Sequence, residues 1–142
     1  MKAKASTIIA VLLAIVAAAC THNNGDIGPW FGAWKVEAIT VDGEPKADYG
    51  GNLFFEFQST VVKMCLVGDH HSTVNVIGNW DEDSGGVLHL NFPDPRHQPI
   101  AVTGLPADCR LSVKWNGSRH MTLEWVNPDT GQTTVFSLKK WK

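Results

Sequence analysis

The chain has 142 residues, of which 44% are hydrophobic and 18% charged, and its formal net charge is −2 at pH 7. This length suits one domain with a single core, and the absence of any Lys/Arg run disfavours nucleic acid as a partner. The sequence contains no nucleophile elbow, no phosphate-binding glycine-rich loop and no metalloenzyme spacing of His and Cys. It therefore predicts no enzyme, no catalytic residue and no cofactor.

The N-terminal segment predicts export. Lys2 and Lys4 precede an uncharged apolar run from Ile8 to Ala19, which is shorter than the about 20 residues of a membrane-spanning helix and is typical of a signal peptide. The small residues that end this run precede Cys20, and together they resemble the lipobox of bacterial lipoproteins. That resemblance implies a diacylglyceryl group on the Cys20 thiol, and several acyl chains hold a domain on a membrane.

Three parts are therefore predicted: a signal peptide over residues 1–19, a lipidated Cys20 with a polar, Gly-rich tether over 20–29, and one β-domain over 30–142. The protein would be anchored in the cell envelope, in the outer membrane, with the periplasmic or surface face left open. The alternative is an ordinary signal peptide cleaved after Ala19, which would leave Cys20 unmodified.

From residue 33 onward, apolar and polar residues alternate between turn-forming links, which predicts β-strands. The expected strands are 33–41, 52–58, 60–67, 73–80, 86–92, 109–115, 119–126 and 133–141. Short links make consecutive strands antiparallel neighbours. An eight-stranded antiparallel up-and-down barrel is then expected because closure leaves no exposed edge; a two-sheet β-sandwich is the alternative.

The links of such a meander alternate between the two ends of the barrel. The longer links, 42–51, 68–72, 93–108 and 127–131, share one end, which we call the mouth. The opposite, closed end would be filled by Trp34, Trp80 and Trp115, with Trp141 nearby, whereas Trp125 would lie near the mouth.

Gly32-Ala33-Trp34 resembles the G-x-W signature of lipocalins. In that family the Trp packs across the closed end of the barrel and a late basic residue covers it, which implies a cation–π contact from Lys140. Residues 30–142 also resemble the small lipocalin-like lipoproteins of Bacteroidetes, although no C-terminal helix follows the last strand. The segments that carry this resemblance are Trp34-Lys35-Val36, Val41-Asp42-Gly43, Leu111-Ser112-Val113, His120-Met121-Thr122-Leu123 and Phe136-Ser137-Leu138-Lys139-Lys140-Trp141.

The predicted inward face carries no charge apart from Lys140, which favours an apolar cavity for a small hydrophobic ligand. The candidate lining residues are Val36, Phe55, Met64, Leu66, Val74, Leu90 and Leu123. A barrel this rich in large apolar side chains can equally fill itself. Two functions stay open: a protein that holds or passes a ligand, or a module whose mouth loops bind or inhibit another envelope protein.

Polar candidates cluster in the predicted mouth links: Asp48, Asp69, His70, His71, Asp94 and His97. Imidazole and carboxylate groups suit zinc or copper, with His70, His71 and His97 as the candidate ligands. Adjacent His residues on a turn are more often solvated, so no metal is expected. The Pro-rich 93–108 link is interpreted as either a lid or a stiff loop, and a bond between the outward Cys65 and the inward Cys109 stays open.

Overall fold

The computed structural model describes residues 28–141. The predicted signal peptide, Cys20 and the tether as far as residue 27 lie outside the described residues. Nine strands form one antiparallel sheet in the order β2-β1-β3-β4-β5-β6-β7-β8-β9, and the β1–β9 pairing closes it. The strands are β1 (Gly32–Val41), β2 (Glu44–Pro45), β3 (Leu53–Gln58), β4 (Val61–Val67), β5 (Thr73–Glu82), β6 (Val87–Asn91), β7 (Asp108–Trp115), β8 (His120–Val126) and β9 (Thr133–Lys140).

The predicted eight-stranded up-and-down barrel is confirmed. The additional strand, β2, has two residues and pairs only with Thr40 and Val41 of β1, so the barrel wall itself has eight strands. Closure excludes the two-sheet sandwich. Within residues 28–141 the only helical elements are three-residue 3-10 turns at Gly28–Trp30, Asp69–His71 and Ala101–Thr103; no helix there is long and apolar enough to cross a membrane.

The inward face of the strands forms one apolar core, as the alternation predicts. Its largest fully buried side chains are Trp34, Phe55, Phe57, Phe92, Phe136, Leu53, Met64, Leu88, Leu90, Leu111, Met121 and Leu123. Regular alternation along β1 predicts Ala38 on the same inward face as Trp34 and Val36, and this expectation is wrong. The register against β9 shifts between Val36 and Ala38, and this bulge reverses the alternation, so Ala38 is exposed and Ile39 enters the core.

Indole rings fill the closed end. Trp34 is fully buried and packs edge-on against Trp115, 5.8 Å between ring centroids. Lys140 Nζ lies 5.5 Å from the Trp34 ring centroid. Trp80 contacts Phe57, with ring centroids 5.2 Å apart. The predicted set Trp34, Trp80, Trp115 and Lys140 is thus brought together at this end.

Trp30 is the central ring of the closed end, and the sequence interpretation missed it. The 3-10 turn Gly28–Trp30 folds it inward, where its ring centroid lies within 5.3 Å of those of Phe57, Trp80 and Trp115. Its carbonyl accepts a hydrogen bond from Trp34 Nε1 at 3.0 Å. The turn therefore includes the last two residues of the predicted tether.

Tyr49 completes the wall where β1 and β3 separate. Their pairing ends at Lys35 opposite Phe54, and the 46–52 link folds over the gap beyond it. The Tyr49 hydroxyl donates to Val36 O and accepts the backbone N–H of Leu53. Because buried backbone groups need partners, this side chain replaces ladder hydrogen bonds that the bulged strand cannot make.

Candidate functional site

The mouth is formed by four links that follow from the strand order: 46–52, 68–72, 92–107 and 127–132. The longest, 92–107, leaves β6 at Phe92, whose ring lies inside the barrel against Gly78. Since Gly78 has no side chain, the Phe92 ring occupies the space that a β-carbon would need. The first residue of this loop is thereby held in the core.

The 92–107 loop is held along its length rather than free to move as a lid. Gln98 Nε2 donates to Phe92 O at 3.1 Å and to Asp94 O at 2.8 Å. The fully buried Thr103 hydroxyl donates to Ile100 O at 2.7 Å. Ile100 and Leu105 are also buried, so of the two predicted interpretations the geometry favours the stiff loop.

A groove of about 450 Å³ lies between this loop and the β8–β9 link. Its apolar side is formed by Leu105, Pro106, Pro128 and Trp125, which projects from the mouth end of β8. Its polar lining comes from Asp108, Asn127 and Asp129, with Gly104 at the edge. This volume falls within the about 300–1,000 Å³ of small-molecule sites, which are mostly apolar with a few polar groups.

The groove was not among the predicted ligand-lining residues. Counting along the strands placed Trp125 near the mouth, and that position was the available signal. Leu105 and Pro106 belong to an irregular loop with no periodic pattern, and their side chains could not be placed from the sequence.

The predicted lining residues share the inward face but not the same environment. Val36, Phe55, Met64, Leu90 and Leu123 are fully buried among other core side chains, and Leu66 is partly buried. The prediction that Val74 lines the interior is wrong, because Val74 pairs with Leu66 at the mouth end of β5 but is 56% exposed. The strand extends past the level of the core there, so facing inward does not bury it.

The predicted polar candidates all lie in the mouth links, but they do not come together in one site. Asp48 pairs with Lys46 at 2.9 Å, and this hydrogen bond lowers the pKa of the Asp48 carboxyl. Asp94 pairs with Arg96 at 2.9 Å, which likewise lowers the pKa of Asp94. Both carboxylates are thus committed to neighbours in their own loops.

The three His candidates for metal binding also have separate surroundings. His70 and His71 are exposed in the 3-10 turn Asp69–His71, with φ angles of 56° and 63°. His97 Nδ1 instead accepts the backbone N–H of Ile77 at 3.1 Å, which fastens the long loop to β5. Within residues 28–141 no three His, Cys, Asp or Glu side chains come close enough together to hold a metal ion.

A second concavity, of about 170 Å³, lies on the outer wall over β3, β4 and β5. It is lined by Glu56, Gln58, Val61, Lys63 and Ile77, and the Glu56–Lys63 salt bridge, 2.6 Å, crosses it. The volume is below the range of small-molecule sites. We therefore place the candidate site at the mouth groove.

The two described cysteines are free. Cys65 lies on β4 with its side chain on the outward face beside Phe54, and Cys109 is buried on the inward face of β7 beside Leu90. Burial, reinforced by the neighbouring Asp108 carboxylate, raises the pKa of the Cys109 thiol to about 12. The two side chains lie on opposite faces of the barrel wall, and they cannot bond without moving the backbone.

Comparison with known proteins shows the fold. No protein-family profile and no curated protein matches this sequence. A lipocalin-like protein from Bacteroides uniformis ATCC 8492 superposes with a TM-score of 0.60 at 17% identity, over 80% of this chain and 100% of the other. An uncharacterized protein from Bacteroides eggerthii DSM 20697 superposes with a TM-score of 0.61 at 15% identity, over 79% of this chain and 99% of the other. The barrel is thus lipocalin-like in fold.

Proposed function

We propose that this protein is a lipid-anchored envelope protein that holds or passes a small hydrophobic molecule at the mouth of its barrel. The observation that carries the proposal is the mouth groove of about 450 Å³, with Trp125 and Leu105 on its apolar side. The predicted signal peptide and Cys20 support the anchor. The ligand would bind at the rim and not in the barrel interior predicted from the sequence, because packed side chains fill that interior.

The groove chemistry narrows the class of ligand. Trp125 and Leu105, each 8% exposed, contribute a limited apolar surface beside the two prolines, while Asp108 and Asp129 place carboxylates along the polar edge. Asp108 is shared with the outward His89, whose Nε2 lies 2.7 Å from Asp108 Oδ1. Like charges repel, so a neutral or cationic head group fits this edge better than a fatty acid carboxylate.

The first experiment is mass spectrometry of the small molecules that remain after native purification, followed by titration with a neutral fluorescent hydrophobic probe. Trp125→Ala should weaken probe binding about tenfold or more, since losing one buried aromatic contact of about 1.4 kcal/mol corresponds to that factor. Val126→Ala is the matched control because Val126 is the next residue on β8 and its side chain is 53% exposed on the opposite face.

The probe titration also separates the groove from nonspecific binding. A neutral amphiphile should displace the probe more strongly than an anionic one of equal chain length. Equal loss of binding in Trp125→Ala and Val126→Ala, at unchanged circular dichroism, would contradict the groove as the site. Labelling with a radioactive fatty acid in wild-type and Cys20→Ala chains tests the anchor separately.

A second function is favoured by the filled core. Because the barrel interior is occupied by packed aromatic and aliphatic residues and the 92–107 loop is fixed by its own hydrogen bonds, the mouth can serve as a rigid surface for another envelope protein. Pull-down from solubilised envelopes, with the intact loop and with a shortened one, distinguishes the two. A loop-dependent protein partner supports this second function, and a co-purifying hydrophobic molecule supports the first.

A further inference from the structure

Two large aromatic side chains, Phe31 and Trp141, are exposed on the outer surface of the barrel beside the closed end. Trp141 is 54% exposed and Phe31 is 52% exposed, although the indoles beneath them are buried. Trp141 is held in position: its backbone N–H donates to Ala33 O at 2.8 Å, and its ring packs edge-on against Phe54 at 5.6 Å. Exposed aromatic side chains on one side of a fold are candidates for a contact region when they form a patch.

Basic side chains surround Trp141. Lys35 and Lys139 are direct cross-strand partners, and Lys35 Nζ lies 5.5 Å from the Trp141 ring. Arg119 Nη2 donates to Lys140 O at 3.2 Å, which brings a third cation to the same edge. None of these side chains forms a salt bridge with an acidic side chain in the described part of the chain.

The mouth has the opposite charge. Its links and the adjoining strand ends carry two basic residues, Lys46 and Arg96, against seven acidic ones: Asp42, Glu44, Asp48, Asp69, Asp94, Asp108 and Asp129. At the closed end, the end of β5 and the turn that follows it carry the exposed Asp81, Glu82 and Asp83, so the basic side chains are concentrated where β1 pairs with β9. An anionic surface would attract that side of the closed end and repel the mouth, which orients the barrel.

The chain also enters the domain at the closed end. Gly28 and Pro29 lie there, since Pro29 O accepts a hydrogen bond from Lys140 Nζ at 3.3 Å. The eight residue steps from Cys20 to Gly28 span at most about 28 Å when fully extended. A lipid on Cys20 would keep the closed end close to the bilayer.

We propose that the closed end is a membrane-contact surface that docks on anionic phospholipid headgroups. Trp141 and Phe31 enter the interfacial layer, where amphipathic aromatic rings are favoured, while Lys35, Lys139 and Arg119 contact headgroup phosphates. The mouth groove then opens away from the membrane. The anchor belongs to the proposed function and supplies only proximity here, because the aromatic and basic surface is part of the barrel itself.

The test uses the full chain purified from membranes and reconstituted with phosphatidylcholine vesicles, with or without phosphatidylglycerol. Flotation with neutral vesicles reports the anchor. Quenching of Trp fluorescence by brominated acyl chains reports closed-end contact, and Trp141→Phe identifies the share due to Trp141. We expect bromolipid quenching of Trp141, and its protection from acrylamide, only with phosphatidylglycerol present, and both should weaken in high salt.

The Lys35→Glu/Lys139→Glu variant should abolish the phosphatidylglycerol-dependent protection, whereas Val126→Ser at the mouth should leave it unchanged. If the chain does not float with neutral vesicles, the anchor is refuted and binding to anionic vesicles is measured directly. Binding should then fall roughly fivefold for each basic charge removed. The membrane-contact surface is refuted, whether or not the anchor holds, by either of two results. One is equal access of acrylamide to Trp141 in both vesicle types, and the other is a charge-reversed variant that behaves as wild type.

Discussion

The contact between Gly78 and Phe92 offers a direct test of how tightly the mouth loop is tied to the core. A β-carbon on Gly78 would lie 2.6 Å from Asn91 O and 2.7 Å from the Phe92 ring. Contacts between such atoms are normally near 3.5 Å or longer, so Gly78→Ala must displace the start of the 92–107 loop by nearly an ångström. Its backbone φ lies outside the left-handed region, and the cost is therefore steric.

Overpacking of this kind costs about 1–3 kcal/mol, and the lower unfolded-state entropy of Ala offsets about 0.4–1 kcal/mol. We expect Gly78→Ala to lower the free energy of unfolding by about 1–2 kcal/mol, within those ranges. Urea denaturation followed by intrinsic fluorescence measures it, and an unchanged m-value shows that two-state unfolding is preserved.

Gly50→Ala is the matched control, because the nearest atom to its β-carbon would be Asn52 Oδ1 at 3.5 Å and its φ is also outside the left-handed region. Its effect should be within about 0.5 kcal/mol of zero. Adding Phe92→Leu should rescue part of the Gly78→Ala loss through coupling between contacting residues. Equal stability of Gly78→Ala and Gly50→Ala would refute the steric account.

Three further predictions concern single side chains. Burial raises the pKa of Tyr49 above its ordinary value of 10.0, so the contribution of its neutral hydroxyl to the free energy of unfolding is fully present below pH 10 and is lost as the pH rises through the folded pKa. Absorbance at 295 nm reports the ionisation of this group alone, since the chain has one tyrosine. Tyr49→Phe should remove this pH dependence of stability. At pH 8 an alkylating reagent should modify the half-buried Cys65 well before Cys109, whose pKa of about 12 keeps it a thiol, as peptide mapping would show; faster labelling of Cys109 would contradict its burial. Lys140→Met should lower the free energy of unfolding by about 0.5–1 kcal/mol through loss of the cation–π contact with Trp34 and of the hydrogen bond to Pro29 O, and a stability equal to wild type in chemical denaturation would contradict a stabilising role for these contacts.

The opposite ends of the barrel divide its proposed roles. The closed end combines the entry of the chain with exposed aromatic and basic side chains, whereas the mouth combines an acidic edge with an apolar groove. If both proposals hold, a ligand reaches the groove from the side away from the membrane. Ligand exchange with a soluble carrier or a facing membrane would then be sterically easier than extraction from the anchoring bilayer.

The sequence by itself determined the strands and their order. Period-two alternation along residues such as Leu53, Phe55 and Phe57 specifies which side chains enter a core, and short links allow only antiparallel neighbours, so the barrel could be predicted. The closed end followed by counting positions along strands, which placed Trp34, Trp80 and Trp115 together.

Only the tertiary structure decided what lies where the regular pattern stops. The bulge in β1 turns Ala38 outward, a 3-10 turn brings Trp30 into the closed end, and the 92–107 loop places Leu105 against Trp125. Loops and bulges carry no periodic signal, because their conformation depends on contacts with residues distant in sequence. The candidate groove and the basic surface around Trp141 are assembled from such distant segments, and neither can be read from a linear pattern.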